Sequence, residues 1–131
     1  MSNSRKPSLV NVYRSEFLHS RTWFARRDRW FTEEATRGIP LSCAGCQRAA
    51  TSRELELHHR DYSGVTLEQG RWQAREPHDD LVPLHPYCHD LLHRLIDRDA
   101  VLARNRTRRA ASDQALQWLR QKLTAIQGTS S

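Results

Sequence analysis

Cys43 and Cys46 stand two residues apart in the run CAGC, and His85 and Cys88 repeat that spacing in HPYC about forty residues later. Three thiols and one imidazole make a complete tetrahedral zinc set. Two-residue spacing lets both side chains of a tight turn face one ion, and two such turns close the site, which makes it structural. The competing use of a CxxC is redox chemistry, with Cys88 an unrelated buried thiol, but no thioredoxin-like βαβ pattern surrounds the motif. A second group is made of imidazoles alone. His58 and His59 are adjacent at the end of LELHH, and His89 and His93 lie four apart, a spacing that puts both on one helix face. Two imidazoles from that face and one from a strand end form a three-ligand site with positions left for water and phosphate, as catalysis by a metal requires. Neighbouring strand residues point to opposite sides, so one of His58 and His59 serves the ion. The other is free to take a proton from water near neutral pH. His19 and His78 have no motif partners and read as surface residues.

Helices, strands and turns must bring these groups together. Residues 1–8 read as a disordered leader, and residues 9–131 as one domain in three parts: a helical segment 9–38, a zinc-bearing core 39–98, and a basic connector with a last helix, 99–131. From Val12 to Ala35 the aromatics Tyr13, Phe17, Phe24, Trp30 and Phe31 recur at helical intervals. They predict two short helices or one bent one, with Ser20 as a cap, Gly38 and Pro40 as terminators, and the rings packed in a core rather than on bases. The alternation ELELH over 54–58 predicts a strand, and Leu81, Val82 and Leu84 a second. Between them, residues 63–79 carry Gly64, Gly70 and Pro77 without a sustained period, which predicts a loop with Trp72 folded back. Pro86 opens the best helical pattern, with Leu91, Leu92, Leu95 and Ile96 on one side. Ser112 is placed to cap a last amphipathic helix, 112–127, carrying Leu116, Leu119, Leu123 and Ile126. That stripe packs back on the core or pairs two protomers, and its spacing allows either.

Composition narrows the class. The 131 residues carry 21 Lys plus Arg against 15 Asp plus Glu, a formal charge of +6, with 37% hydrophobic residues. Mean hydropathy is −0.80 and the pI about 9.9. A chain of this size and polarity has a small core and needs a staple such as a metal. Three cysteines cannot pair off evenly, which again favours thiolate ligation over disulfides. Apolar runs are too short to span a membrane, and MSNSRKPSLVNVY lacks the apolar core of a signal peptide, so the expected compartment is the cytoplasm. A basic balance there points to nucleic acid as the partner, with acidic proteins as the other polyanions that would satisfy it.

The order CAGC, then LELHHRDY, then DDLVPLHPYCHDLLH resembles the HNH endonucleases, and EFLHSRTWFARRDRW is similar to the Leu, Ser, Trp and Arg pattern that precedes the first knuckle in zinc-bearing members. The resemblance covers most of the chain. It implies an α+β fold with a small ββα-metal core, a zinc knuckle pair and flanking N- and C-terminal helices. It implies metal-dependent hydrolysis of DNA, most readily the duplex, with a structural Zn²⁺ at Cys43, Cys46, His85 and Cys88. A catalytic divalent ion (Mg²⁺, Mn²⁺, Ni²⁺ or Zn²⁺) would be held by His58, His89 and, as in colicin-type DNases, His93. His59 becomes the general base, and its loss is expected to be severe without affecting folding. Asp80 takes the central position that orients the base. Three departures stand out: Asp80 where Asn is usual, His85 where Cys is usual, and the long excursion between His59 and Asp80. Arg104, Arg106, Arg108 and Arg109 could track phosphates, with Arg60 and Arg94 as secondary candidates; the bland reading of the run is solvated charge. The alternative to an enzyme is a zinc-stabilised nucleic-acid-binding module without catalysis, followed by a protein in which both ions are structural.

Overall fold

The computed structural model describes residues 9–98 and 107–129. The leader 1–8, Arg104 and Arg106 lie outside the described residues. The chain opens with α1 (Leu9–Leu18) and α2 (Arg21–Thr36), so the aromatic segment forms two helices. Ser20 divides them as the sequence predicts: its extended backbone stops α1, and its Oγ accepts the Trp23 N–H at 3.1 Å. At the far end Gly38 takes φ +71°, and the Ile39 N–H returns to the Glu34 carbonyl at 3.3 Å, the left-handed stop that glycine supplies. Phe17, Trp23 and Trp30 are buried, whereas Phe24 is 51% exposed and is not the core residue expected of it.

Strand β1 (Glu56–His59) pairs antiparallel with β4 (Leu81–Leu84), with Leu57 opposite Pro83, His58 opposite Val82 and His59 opposite Leu81. Segment 63–79 is not the predicted loop. It holds a hairpin of β2 (Val65–Glu68) and β3 (Arg71–Ala74), closed by Gln69 and Gly70 at φ +51° and +75°. Two left-handed residues in a two-residue turn match the right-handed strand twist. The signal is faint in sequence because Gln is an unusual occupant and because Leu67 on β2 is exposed, which blurs the alternation. Trp72 of β3 does fold back, its ring centroid 5.4 Å from that of Phe17.

After β4 come α3 (Pro86–Arg98), with proline at its first position, and α4 (Arg108–Thr129). Helix α4 starts earlier than predicted: Thr107 Oγ1 accepts the Ala110 N–H at 3.1 Å, so Ser112 lies inside the helix, buried, and caps nothing. The result is an α+β domain of helices and two small antiparallel sheets. Among the described residues, no helix is long and apolar enough to cross a membrane.

Pairing across an antiparallel ladder puts opposed residues on one face. Leu57, His59 and Leu81 therefore share a face, which packs with Phe17, Trp23, Trp30 and Val65. The other face of β4 turns Leu84 and Val82 toward Cys43, Cys88, Leu92, Ala111, Ala115 and Leu119. The apolar side of α4 thus packs on the core through Leu119, while Ile126 at the end of the predicted stripe stays 58% exposed.

Candidate metal centres and a buried histidine–glutamate pair

Cys43, Cys46, His85 and Cys88 bring one ligand atom each to within 4.8 Å of one another, and the cluster could hold a metal such as zinc. The CAGC turn is shaped by backbone: Cys43 N–H donates to the Arg48 carbonyl at 2.9 Å, and Gln47 N–H returns to the Cys43 carbonyl at 2.8 Å. The Gly45 and His85 N–H groups both point at Cys43 Sγ, each at 3.3 Å, and His85 Nδ1 lies 3.3 Å from Cys46 Sγ. Burial alone would raise the Cys43 thiol, but the N–H donors of His85, Cys46 and Gly45 outweigh it and bring the pKa down to about 7. Burial and the neighbouring Cys43 push Cys88 up to about 12. A bound dication reverses that second shift, since only thiolate is a ligand. Soft sulfur donors with no carboxylate among them suit zinc. Gly45 makes room for the turn: a Cβ there would meet Leu119 Cδ2 at 3.0 Å and Cys88 Cβ at 3.1 Å.

His58, His89 and His93 form the second group. His89 Nε2 is 3.3 Å from His58 Nδ1 and 3.0 Å from His93 Nε2. Ligands about 2.1 Å from one ion lie roughly 3.0–3.4 Å apart at octahedral or tetrahedral angles, so these nitrogens fit a shared cation. The outward nitrogens are fixed: His58 Nε2 meets Ser112 Oγ at 3.1 Å, and His89 Nδ1 meets Glu56 Oε1 at 2.9 Å. Such partners set the tautomer and raise ligand basicity. Burial first, then the neighbouring imidazoles, lowers His58 to about 2, and burial with His89 and Arg108 lowers His93 to about 4. The His58 and His93 rings are therefore neutral at pH 7 and ready to ligate. The His89 end opens on a cleft of about 450 Å³ bordered by Trp23, Phe24, Arg27 and Arg53.

His59 faces away from this cluster, as strand alternation requires. Its Nε2 lies 2.7 Å from Glu76 Oε2, and its ring stacks on Tyr62 at 4.2 Å with Trp23 behind it. Nδ1 makes no hydrogen bond among the described residues. Burial lowers the His59 pKa, and the bond and charge of Glu76 partly oppose it. Arg26, also buried, donates from Nη2 to the Glu76 carbonyl at 2.9 Å, and its Nε is 4.0 Å from Oε1. Glu76 reaches His59 because Gly64 lets the start of β2 close on the end of β3: a Cβ on Gly64 would lie 2.7 Å from Glu76 N and 2.8 Å from the Arg75 carbonyl. That glycine is a packing requirement.

Asp80, the residue expected to orient the base, is buried but makes its side-chain bonds elsewhere. Arg109 reaches its two oxygens at 3.2 and 2.6 Å, and Arg60 Nη1 stands 3.8 Å away. Its backbone carbonyl accepts the Arg60 N–H at 2.8 Å, so Asp80 ties the end of β1 and the start of α4 to β4. The carboxylate beside His59 is Glu76. Arg60 is also clamped by Asp113, through two bonds of 2.7 Å, and exposed Arg94 pairs with Asp90 one helical turn away. His19 is exposed as expected. His78 is not a surface residue: it is half-buried, stacks on Trp30 at 5.0 Å and meets Glu33 at 2.8 Å and Glu34 at 2.5 Å.

Sequence reasoning missed Glu76, Ser112, Glu56 and Arg26. Ser112 had a signal, since it lies three and seven residues before Ala115 and Leu119 and so shares their buried side. Glu76 had none, because its partner is reached through an unread hairpin. No family model matches the chain, and no curated protein and no solved structure matches it. The class of protein therefore rests on the chemistry of these groups.

Proposed function

We propose that the chain is a metal-dependent endonuclease of the HNH type that hydrolyses DNA phosphodiester bonds, with β1, β4 and α3 as its ββα-metal core and the sulfur-rich cluster as its structural zinc site. One observation carries this reading: the adjacent His58 and His59 part to opposite faces of β1, His58 joining two helix imidazoles and His59 joining a buried carboxylate. A structural role needs no such division. His59 donates its Nε2 proton to Glu76, which holds the ring in the tautomer with Nδ1 unprotonated. Nδ1 takes the proton of a water that attacks phosphorus, the bond to the 3′ oxygen breaks, and the product keeps a 5′ phosphate. Glu76 stabilises the imidazolium formed in that step and fixes its orientation, with Arg26 holding Glu76 in turn. A divalent ion at His58, His89 and His93 supplies Lewis-acid stabilisation of phosphoryl and leaving-group charge when bound.

A second reading, a zinc-stabilised nucleic-acid-binding module without catalysis, is favoured by one feature: His59 is only 2% exposed. Supercoiled plasmid separates the two. Zinc-loaded protein with added magnesium, manganese or nickel should convert it to open-circle or linear form, and a folded His59→Gln variant should not. Salt-sensitive DNA binding by folded protein, with no cutting in any metal, would instead establish the binding module.

A further inference from the structure

Tyr62, three residues beyond β1, gathers an unusual set of neighbours. His59 covers one face of its ring, 4.2 Å away and within 10° of parallel. Two guanidinium groups also lie over the ring, with Arg14 Cζ 4.5 Å and Arg108 Cζ 4.9 Å from its centroid. Arg14 comes from α1 and Arg108 from the first position of α4, so elements from the two ends of the chain converge here. Neither arginine makes a hydrogen bond or ion pair with a carboxylate among the described residues. Arg60 and Arg109 nearby are engaged by Asp113 and Asp80. Asp61, the nearest acid in sequence, is shared between Ser63 and Arg109. Arg108 Nε is buried and has no hydrogen-bond partner among the described residues.

Two cations over one ring repel each other, and a buried donor without an acceptor is destabilising. Burial, followed by the charge of Arg14, moves the Arg108 pKa down where Tyr62, Asp61 and Asp97 oppose it. An anion between the two groups would relieve both costs. A tetrahedral oxyanion suits them better than a planar one, because its oxygens can meet two forks approaching from different elements. Arg108 lies one helical turn before Ser112, whose Oγ meets His58 Nε2 at 3.1 Å, so the pair stands near the histidine cluster.

We infer that Arg14 and Arg108, stacked on Tyr62, form a binding position for a phosphate group of the DNA backbone next to the histidine cluster. The identity of the phosphate rests on the nuclease reading; the anion site itself does not. Arginine is required for its fork and its stacking, so lysine is a poor replacement at either position.

The test uses zinc-loaded protein without other added metal, titrated onto a short labelled DNA duplex and followed by fluorescence anisotropy over a range of salt. Arg108→Gln should weaken binding roughly ten- to a hundredfold, the value of a charge-assisted hydrogen bond. Each of Arg108→Gln and Arg14→Gln should lower the salt slope by about one. Arg29→Gln, exposed on α2 and paired with Glu33, serves as the control that changes neither. Melting curves confirm that the variants fold, and Arg14→Gln carries the test should Arg108→Gln not fold. Unchanged affinity and slope in a folded variant would overturn the proposal. A protein that ignores DNA, yet melts at higher temperature with inorganic phosphate in an Arg108-dependent way, would uphold the anion site and remove the nuclease reading.

Discussion

The two clusters that could hold metal meet on α3, where Cys88 belongs to one and His89 to the other. Their settings differ. The sulfur cluster is four-cornered, built from two tight turns, and embedded among Leu84, Leu92 and Leu119. The imidazole cluster has three corners and takes its outer bonds from Ser112 and Glu56; each cluster borders a cleft, the one at His89 and the other at Cys46, His85 and Cys88. A complete donor set leaves an ion nothing further to bind, whereas an incomplete one leaves positions for water and substrate. The closed cluster also positions the open one: by pinning the first turn of α3 to the CAGC turn it fixes where His89 and His93 face. Stability is expected to reside in the first and chemistry in the second, and the two should be separable.

The largest effect should come from breaking the closed cluster. Cys88→Ser, or withdrawal of zinc by a strong chelator, should unfold the domain, because structural zinc contributes about 10 kcal/mol or more and a domain has only about 5–15 in total. Circular dichroism and zinc content measured together check this; retention of a cooperative melt without zinc would make the cluster incidental. Next comes the proposed base. His59→Gln should reduce plasmid cutting by about 10² to 10⁴ while leaving zinc content unchanged. Alanine is the wrong probe, contrary to the sequence expectation that it would spare folding. It would open a cavity against Phe17 and Trp23 and strand the fully buried Glu76 carboxylate, whereas Gln keeps a donor for it.

The same division explains what was legible in the sequence. Groups joined by short fixed spacings were readable: CAGC and HPYC, His89 and His93 on one helix face, and the parting of His58 and His59 by strand alternation. Each follows from local geometry, as do Ser20 as a cap and Pro86 as a helix start. Groups joined through tertiary closure were not. Glu76 reaches His59 across seventeen residues, by way of a hairpin whose turn residue Gln69 gives no warning and a contact at Gly64 visible only in space. Asp80 stood at the right place in the motif, yet Arg109 from a distant helix claims its carboxylate. Ser112 fits a cap pattern in the sequence, but its helix begins about a turn earlier, at Arg108 with Thr107 as cap, and only the folded chain sets it under His58.

Ser112→Ala sharpens the comparison from the other side. It removes the partner of His58 Nε2 without touching either ligand set, and loss of such an outer bond typically weakens metal binding about ten- to a hundredfold. Manganese or nickel affinity, measured by calorimetry, should fall by that factor while zinc content stays whole. An equal loss at both clusters would mean that they are one cooperative unit.

The smallest effect concerns pH, and its sign follows from the open cluster alone. His58 and His93 have folded pKa values lowered to about 2 and about 4 from 6.5. Between about pH 4 and 6.5 the unfolded chain therefore binds more protons than the folded one, and stability rises with pH across that interval and levels above it. The urea midpoint of zinc-loaded protein should fall as pH is lowered from 7 toward 5. Protonation of cysteine ligands would add to such a fall, so the informative quantity is the difference from His93→Gln, which carries the same zinc set and lacks one buried imidazole. That variant should lose part of the slope. Identical slopes would place the pH sensitivity in the sulfur cluster, leaving the imidazoles no share in stability at all.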